Sequence, residues 1–593
     1  MKKLLAWLMA VTLTFQLVTP VFAEEIEETQ TATEAVEVET EAPTTEIPTT
    51  EPTTTDAMET AAPEETSAPT EPQATTEVTE ATETTASTEE ATVAATEPTE
   101  ETTEPTLDLL SEDENVIASG TCGAQGDNLT WKLTQDGTLT ISGSGEMTDA
   151  VPWADYNQTI LSVVMEPGVT SIGWCAFEGC SSLTSVSIPD SVTGLDSSAF
   201  EGCSSLTSIT IPENVTSIGG DAFRGCSSLT SVTIPESVTS IGGHAFSGCN
   251  SLKSVEIKGA ASIGNSAFYG CKKLTDVTFS GNVTSIGDGG FSDCERLTNV
   301  VLPESVTDIG ARAFCWCERL TSITMPGVTS IGSDAFRQCG SLTSVALPQS
   351  VSSIAGNVFT YCYNLERISV DKENKNYISA DGVLFDKNCT AIITYPTAKK
   401  NAVYNIPKSV TTIVSGAFWN CDSLTSVTIP EGVTSIGDHA FFGCSALASV
   451  NIPKGVTSIG EATFLGCNLT SLAIPEGVTQ IGDDAFRDCD RLTSVVIPGS
   501  VASIGQRAFS GCYNFTNIVI SNGVKNIGEC AFENCRKLIK LWLPKTVTFI
   551  DYEAFSGCDN LKNVYYSGSN SDWNAITIED GNAALENAKR TYD

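Results

Sequence analysis

The sequence has very little histidine, and its two histidines are poorly placed for catalysis. His244 and His439 are the only ones among 593 residues, and they lie seven repeat units apart in a slot that other units fill with Asp or Arg. A Ser-His-Asp or Cys-His mechanism therefore has no general base in a credible place. The sequence also contains no phosphate-binding Gly motif, and no unit carries two inward-facing carboxylates. We therefore expect no enzyme and no cofactor.

Positive charge is also scarce. The chain has 31 Lys and Arg against 74 Asp and Glu, a formal net charge of −43. Residues 24–114 contain no Lys or Arg and 28 acidic residues, and consist mostly of Thr, Glu, Ala and Pro. Such a segment cannot bury enough apolar surface to offset its chain entropy, so it is predicted to be a disordered linker. Residues 115–593 still carry −17, which excludes a basic nucleic-acid footprint.

No apolar run is long enough to form a membrane-spanning helix. Residues 1–23 instead have the pattern of a secretory signal peptide: Lys2 and Lys3, an apolar stretch, and a small-residue cleavage site ending at Ala23. An uncleaved anchor is the alternative interpretation. We expect a secreted or extracellular protein, associated with the cell surface or free, with no membrane insertion after cleavage.

The feature that is abundant is one repeated unit. Residues Leu229–Cys249 read LTSVTIPESVTSIGGHAFSGC, and close copies recur along the chain. A period of 22 or 23 residues, with one longer step of 59 after Cys362, is typical of a leucine-rich repeat solenoid. Each unit ends in a ladder cysteine, as follows: Cys180, Cys203, Cys226, Cys249, Cys271, Cys294, Cys317, Cys339, Cys362, Cys421, Cys444, Cys467, Cys489, Cys512, Cys535 and Cys558.

Each unit is predicted to contain three short structural segments. Val232 and Ile234 alternate with polar residues, which predicts a short strand that Pro235 ends. Ile241 belongs to a second short apolar segment, and the i to i+4 step around Phe246 predicts a short helical turn that buries the ring. The predicted fold is a β-rich solenoid of 22–23-residue coils, each with a short strand and a short helical turn.

The solenoid needs covered ends, and one unit is interrupted. A hairpin turning at Asp136-Gly137 predicts a small β-rich N-terminal cap, and two strands joined at Asp386-Lys387-Asn388 predict an inserted hairpin that projects from the coil. The insertion is either part of a binding face or a structural elbow. The predicted domains are the signal peptide 1–23, the linker 24–114, the N-terminal cap 115–159, the solenoid 160–566 with its insertion 371–400, and the C-terminal cap 567–593.

The 21 cysteines are predicted to be free thiols rather than disulfides. Neighbours on the ladder have parallel Cβ vectors, which suits disulfide geometry poorly, whereas a small buried thiol fits the core. Zinc would need paired ligands, and Cys315-Trp-Cys317 has no second pair near it in sequence. No metal is therefore expected. The cysteines off the ladder are Cys122, Cys175, Cys315, Cys389 and Cys530.

The outward positions of the strands are the remaining candidate for function. They are mostly Ser and Thr, and they form either a solvated sheet face or a long platform for an extended protein or glycan. The candidate binding residues on this face are Thr210, Thr233, Glu256, Thr278, Thr324, Thr428 and Trp542.

The unit Cys-x-x-Leu-Thr-Ser-Val-x-Ile-Pro-x-Ser-Val-Thr-Ser-Ile-Gly-x-x-Ala-Phe-x-Gly closely resembles the BspA-like leucine-rich repeat family, also called the Treponema pallidum type. The resemblance covers about 160–566. Asp381–Phe385 and the ending at Tyr566 with Trp573 also resemble recurrent companions of such repeats. The resemblance implies a bacterial surface or secreted protein that adheres to host or other cells, with no shared catalytic residues. No Leu-Pro-x-Thr-Gly motif follows residue 567, which leaves the mode of attachment open.

The expected partners are thus proteins or glycans on host or bacterial surfaces, and the expected state is a monomer. The alternative is a passive structural or spacer protein of the cell envelope with no specific ligand.

Overall fold

The computed structural model describes residues 115–592. The predicted signal peptide and linker lie outside the described residues. The described chain folds as a solenoid in which most coils contribute one strand to a front sheet and a shorter strand to a side sheet, which confirms the predicted fold class.

The front strands form where Val and Ile alternate with polar residues, and paired strands run parallel in register. Val232 aligns with Val255 and Val277 on neighbouring strands, and these apolar residues turn inward. We call the outward side of these strands the front face. The front strands are Ser162–Met165, Ser185–Ser187, Ser231–Ile234, Ser254–Ile257, Asp276–Phe279, Asn299–Val301, Ser322–Thr324, Ser344–Leu347, Arg367–Val370, Val403–Asn405, Ser426–Thr428, Ser449–Val450, Ser494–Ile497, Asn517–Ile520, Lys540–Leu543, Asn563–Tyr566 and Lys589–Tyr592.

The side strands follow the front segment of the coil, in most coils after a proline, and are mostly two residues long. They come from the second apolar segment, as with Ile241, which pairs with Ile218 and Ile263. The side strands are Gly145–Glu146, Val169–Ile172, Gly194–Leu195, Ser217–Ile218, Ser240–Ile241, Ser262–Ile263, Ser285–Ile286, Asp308–Ile309, Ser330–Ile331, Ser353–Ile354, Ala391–Thr394, Thr412–Ile413, Ser435–Ile436, Ser458–Ile459, Gln480–Ile481, Ser503–Ile504, Asn526–Ile527, Phe549–Ile550 and Thr577–Ile578.

The third side of each coil is a segment of tight turns around the buried Phe. His244, just before Ala-Phe, has a left-handed φ of 57°, and Gly248 before the cysteine has a φ of 73°. The N–H of Phe246 donates to Ala267 O of the next coil at 2.7 Å, whereas the N–H of Cys249 donates back to Phe246 O at 3.2 Å. Alternate amides therefore join neighbouring coils, and the turns close through i to i+3 bonds.

The core is a pair of ring columns flanked by the cysteine ladder. Trp153 and nine Phe rings stack at centroid separations of 5.1–5.7 Å as far as Phe359, and Tyr395 begins a second column with separations of 4.8–5.4 Å. Thiols donate to the ring residue's carbonyl of the preceding coil, as from Cys249 Sγ to Phe223 O at 3.3 Å. Fifteen of the sixteen ladder cysteines make this bond.

A β-hairpin precedes the first coil, as the sequence predicts. Gly126–Thr134 pairs antiparallel with Thr138–Gly143, and Val116–Gly123 pairs antiparallel with Gly126–Thr134. Thr138–Gly143 then continues into the front sheet by pairing in parallel with Ser162–Met165. A 3-10 helix, Ala154–Tyr156, connects this hairpin to the repeats. The hairpin thus covers the first coil of the stack.

The predicted hairpin in the insertion is confirmed, because Val383–Asp386 pairs antiparallel with Ala391–Thr394, but the prediction that it projects from the coil is wrong. Tyr377–Ala380 pairs antiparallel with Val383–Asp386, which pairs antiparallel with Ala391–Thr394. The last of these strands belongs to the side sheet, because it runs parallel to Thr412–Ile413. The run Val383–Phe385 is fully buried, so three consecutive apolar residues fill the core rather than a projecting hairpin.

The segment after residue 567 adds two short helices, Asn570–Trp573 and Ala583–Asn587. Trp573 is buried against Tyr566 at 5.3 Å, with the rings at 89°. The strand Lys589–Tyr592 pairs in parallel with Asn563–Tyr566 and extends the front sheet by one strand.

Candidate binding surface

Three of the candidate residues are neighbours on the front face. Thr233, Glu256 and Thr278 occupy one register position on adjacent strands. The Thr233 hydroxyl donates to the Glu256 carboxylate at 3.2 Å, and the Lys258 ammonium lies 3.8 Å from the same carboxylate. Thr210 is exposed in the preceding coil and lines a shallow groove with Thr233, although its segment forms no strand. This part of the face is small and polar, and its side chains bond to one another.

Two further candidates lie on separate sheets. Thr324 is paired with Val301, whose side chain is 55% exposed. Thr428 is paired with Asn405, beyond the insertion. Both threonines are exposed, as predicted, but they share no sheet with each other or with Thr233. The seven candidates are therefore spread along the front face and do not form one site.

Trp542 lies in a different environment, on the last five strands of the front sheet. It is paired with Val519 on one side and with Tyr565 on the other. The Trp542 and Tyr565 rings stack at a centroid distance of 4.9 Å and an interplanar angle of 15°. Val496, one strand further, is 55% exposed. We call Val496, Val519, Trp542 and Tyr565 the C-terminal front row.

Sequence reasoning found Trp542 but not the rest of this row as a unit. Tyr565 follows Trp542 by 23 residues, the period of the coil, so the repeat itself contained the signal. Lys540 and Lys589 were also missed; they occupy one register position on two strands of this sheet, with Asn563 between them.

A second aromatic cluster lies on the turn side, where the insertion separates the two ring columns. Trp419 stacks on Phe442 at 4.3 Å and on His439 at 5.3 Å, and meets Tyr361 at 5.3 Å and 65°. The Arg337 guanidinium lies 5.1 Å from the Tyr361 ring centroid. His439 is thus packed in an aromatic cluster rather than beside a nucleophile.

Nineteen of the 21 cysteines are buried, as core residues are. All 21 are free thiols, and burial raises the pKa of the Cys180 thiol and of the Cys271 thiol to about 12. Cys315 and Cys317 are both buried. Across residues 115–592, no group of three or more His, Cys, Asp or Glu side chains is arranged to bind a metal ion.

Comparison of the sequence with family profiles decides the family. The profile described as the BspA type leucine rich repeat region matches residues 154–273, 261–389, 398–493 and 457–580. The chain belongs to the BspA-type leucine-rich repeat family. The match covers well over half of the chain, and the resemblance inferred from the repeat unit is confirmed.

Solved BspA-type and related structures show varying likeness to this chain. A leucine rich cell surface protein from Faecalibacterium prausnitzii is 28% identical over 78% of this chain and 98% of its own, with a TM-score of 0.45. A leucine-rich repeat protein from Eubacterium ventriosum is 26% identical over 78% of this chain and 94% of its own, with a TM-score of 0.36. The pneumococcal vaccine antigen PcpA is 18% identical over 79% of this chain and 96% of its own, with a TM-score of 0.42. Comparison with curated proteins finds no significant match.

The BspA-type coils account for most of the described secondary structure. Within residues 115–592, no helix has the length and apolar character that crossing a bilayer requires.

Proposed function

We propose that this BspA-type protein is a secreted or cell-surface binding protein, without catalytic activity, that attaches to a protein or glycan on host or bacterial cells through its front face. The observation that carries the proposal is the C-terminal front row, in which a Trp, a Tyr and two Val residues occupy outward positions of a sheet. Aromatic residues are enriched where binding energy concentrates in interfaces. The cell-surface description of the similar F. prausnitzii protein supports the proposed location.

One observation favours a second candidate, a passive spacer. Most outward positions before the insertion carry small hydroxyl side chains. The Thr233 hydroxyl already donates a hydrogen bond to Glu256 of the neighbouring coil. Such a face avoids adhesion and needs no ligand.

The two candidates are separated by the binding of the labelled full chain to immobilised mucin, extracellular-matrix preparations and fixed bacterial cells. We expect saturable binding to at least one of them. The variants Thr233→Arg, Thr324→Arg and Trp542→Arg each place a bulky cation on a different part of the front face. Trp174→Arg is the matched control, because Trp174 is 56% exposed outside the front face. Saturable binding that one front-face variant weakens and the control does not supports the proposal, whereas no saturable binding points to the spacer.

A further inference from the structure

The C-terminal front row is an apolar strip of four residues in register, whereas other exposed apolar residues of the front face, such as Val164 and Val301, pair with Ser187 and Thr324. Its residues are aligned strand by strand: Val496 with Val519, Val519 with Trp542, and Trp542 with Tyr565. Thr591 continues the row on the last described strand. The equivalent row near Thr233 contains Thr, Glu and Thr in the same positions. Apolar side chains at consecutive outward positions of a sheet leave a patch that water solvates poorly, and such patches mark interaction sites.

Cations lie within and immediately before the strands that form this strip. Lys540 and Lys589 occupy outward positions beside the row, and Lys562 lies exposed immediately before the strand Asn563–Tyr566. None of the three lysines forms an ion pair within residues 115–592. The five strands of this sheet contain no Asp or Glu. On a chain with a net charge of −43, this is a local reversal of sign that attracts an anionic partner.

The ring geometry distinguishes between kinds of partner. Sugars stack on the open faces of aromatic rings, but the faces of Trp542 and Tyr565 cover each other at 4.9 Å. On their other sides, Trp542 has Val519 and Tyr565 has Thr591 as neighbours in register. One face of each ring is thus closed to a sugar. A flat apolar strip of this kind matches the aliphatic and aromatic side chains of a polypeptide better than a sugar ring.

We propose that the C-terminal front row binds an acidic segment of a partner protein that carries apolar side chains, with Lys540, Lys562 and Lys589 attracting its carboxylates. This inference rests on the proposed function and names the partner's chemistry and the part of the front face that recognises it. Trp542 and Tyr565 are the anchors, since buried Trp and Tyr dominate binding energy in interfaces. The lysines set the association rate and make the affinity fall as salt rises.

The test uses a library of random linear peptides displayed on phage and selected on the immobilised full chain. We expect the enriched peptides to have net negative charge and at least one aromatic or branched aliphatic residue. For a synthetic copy of an enriched peptide, Trp542→Ser should weaken binding roughly 30-fold, as expected for an interface anchor. Trp174→Ser, an exposed tryptophan elsewhere, should leave the affinity unchanged.

A second pair of variants tests the inference independently, in case Trp542→Ser does not fold. Lys540→Glu alters an exposed side chain, and Lys253→Glu makes the same change at an exposed position of a distant front-face coil. We expect Lys540→Glu to weaken binding roughly tenfold at low salt and Lys253→Glu to have no effect. Enrichment of neutral or basic peptides, or equal affinity for Lys540→Glu and wild type, overturns the inference.

Two outcomes separate the failure of this inference from that of the proposed function. If host or bacterial surfaces bind the full chain saturably and Thr233→Arg abolishes this while Trp542→Arg does not, the function stands and this inference is overturned. If heparin, used as an anionic glycan probe, binds through Trp542 and no peptide is enriched, the partner is a glycan and the inference is also overturned.

Discussion

At the scale of single residues, the ladder cysteine performs two tasks in each coil. Its side chain fills the core beside the stacked Phe, and its S–H satisfies a carbonyl that would otherwise have one partner fewer. Phe223 O, for example, accepts from Cys226 N at 3.1 Å and from Cys249 Sγ at 3.3 Å. A hydroxyl in this position would also donate, but it would cost more to desolvate.

Replacing one ladder cysteine should therefore destabilise the protein measurably. We expect Cys249→Ala to lower the free energy of unfolding by about 1–2 kcal/mol, because it removes a buried sulfur and its hydrogen bond. The measurement is denaturant unfolding of the full chain. Cys389→Ala is the control, since Cys389 is off the ladder and half-buried, and its effect should stay within about 0.5 kcal/mol. Equal effects of the two changes would contradict a special role for the ladder.

The environment of the Cys175 thiol predicts how its alkylation rate depends on pH. Burial, followed by the nearby Glu178 and Glu201 carboxylates, raises the pKa of the Cys175 thiol to about 11. Since the thiolate is the form that reacts, we expect alkylation of Cys175 to accelerate about tenfold per pH unit until near pH 11. An unstructured cysteine peptide should level off near its ordinary pKa of about 8.5.

Mass spectrometry of the alkylated native chain measures this rate. Cys175 and Cys389, the two half-exposed thiols, should be modified before any ladder cysteine. A rate for Cys175 that levels off near pH 9 would show that its pKa is not raised in the folded protein.

At the scale of the structural element, the insertion is where the regular coil changes. The N–H of Phe336 donates to Val358 O at 3.0 Å, as in every regular turn segment, but the N–H of Phe359 donates to no acceptor within residues 115–592. The side strands Ser353–Ile354 and Ala391–Thr394 also belong to different sheets. At the ring position, the coil that ends at Cys362 therefore lacks the backbone bond that regular coils make to their successors, although its front strand Ser344–Leu347 still pairs with Arg367–Val370.

This difference should be visible in amide hydrogen exchange. We expect the Phe359 amide to exchange about fivefold faster or more than the Phe336 amide, the equivalent of one net hydrogen bond. The matched pair of Phe314 and Phe336, both bonded to the next coil, should exchange at similar rates. Equal protection of Phe336 and Phe359 would mean that the missing bond is replaced in solution.

The coils and the hairpin of the insertion could be predicted from the sequence, but the burial of that hairpin could not. The period fixes register over long distances, so the strand, the proline stop, the inward Phe and the stacked rings follow from one unit. Val383–Phe385 is a short apolar run, and local alternation does not show whether such a run projects or is buried. Tyr395 held the missing signal, because it precedes Cys421 by 26 residues, the offset of Phe223 from Cys249.

The binding surface was predictable only in part for the same reason. Trp542 breaks the Ser/Thr pattern by itself, whereas the stacking of Tyr565 and the alternation of Lys540, Asn563 and Lys589 appear only when the coils are superimposed. The sign of the local charge is a property of five strands together. No single repeat contains it.

At the scale of the whole described chain, the solenoid has two cores. One buried cluster extends from Cys122 to Leu384 and the other from Val383 to Ala588. The ring columns divide at the insertion, and so do the side sheets, which divide once more between Ser435–Ile436 and Ser458–Ile459. In a stack where each coil contacts its neighbours, stability is a sum of local terms, so a weak junction separates cooperative units.

We therefore expect unfolding in two steps, with the boundary inside 371–400. Hydrogen exchange at increasing denaturant should show loss of protection at different concentrations for coils before and after the insertion. A variant such as Phe486→Leu in the second column should shift only the later coils, and Phe246→Leu only the earlier ones. A single transition that both variants shift would show that the insertion couples the two cores.

The columns of parallel rings have one more consequence. Rings that are held rigidly at 5.1–5.7 Å in a chiral core contribute to the near-ultraviolet circular dichroism, and loose packing removes that signal. The near-ultraviolet signal therefore reports, without any label, whether successive coils are packed against each other.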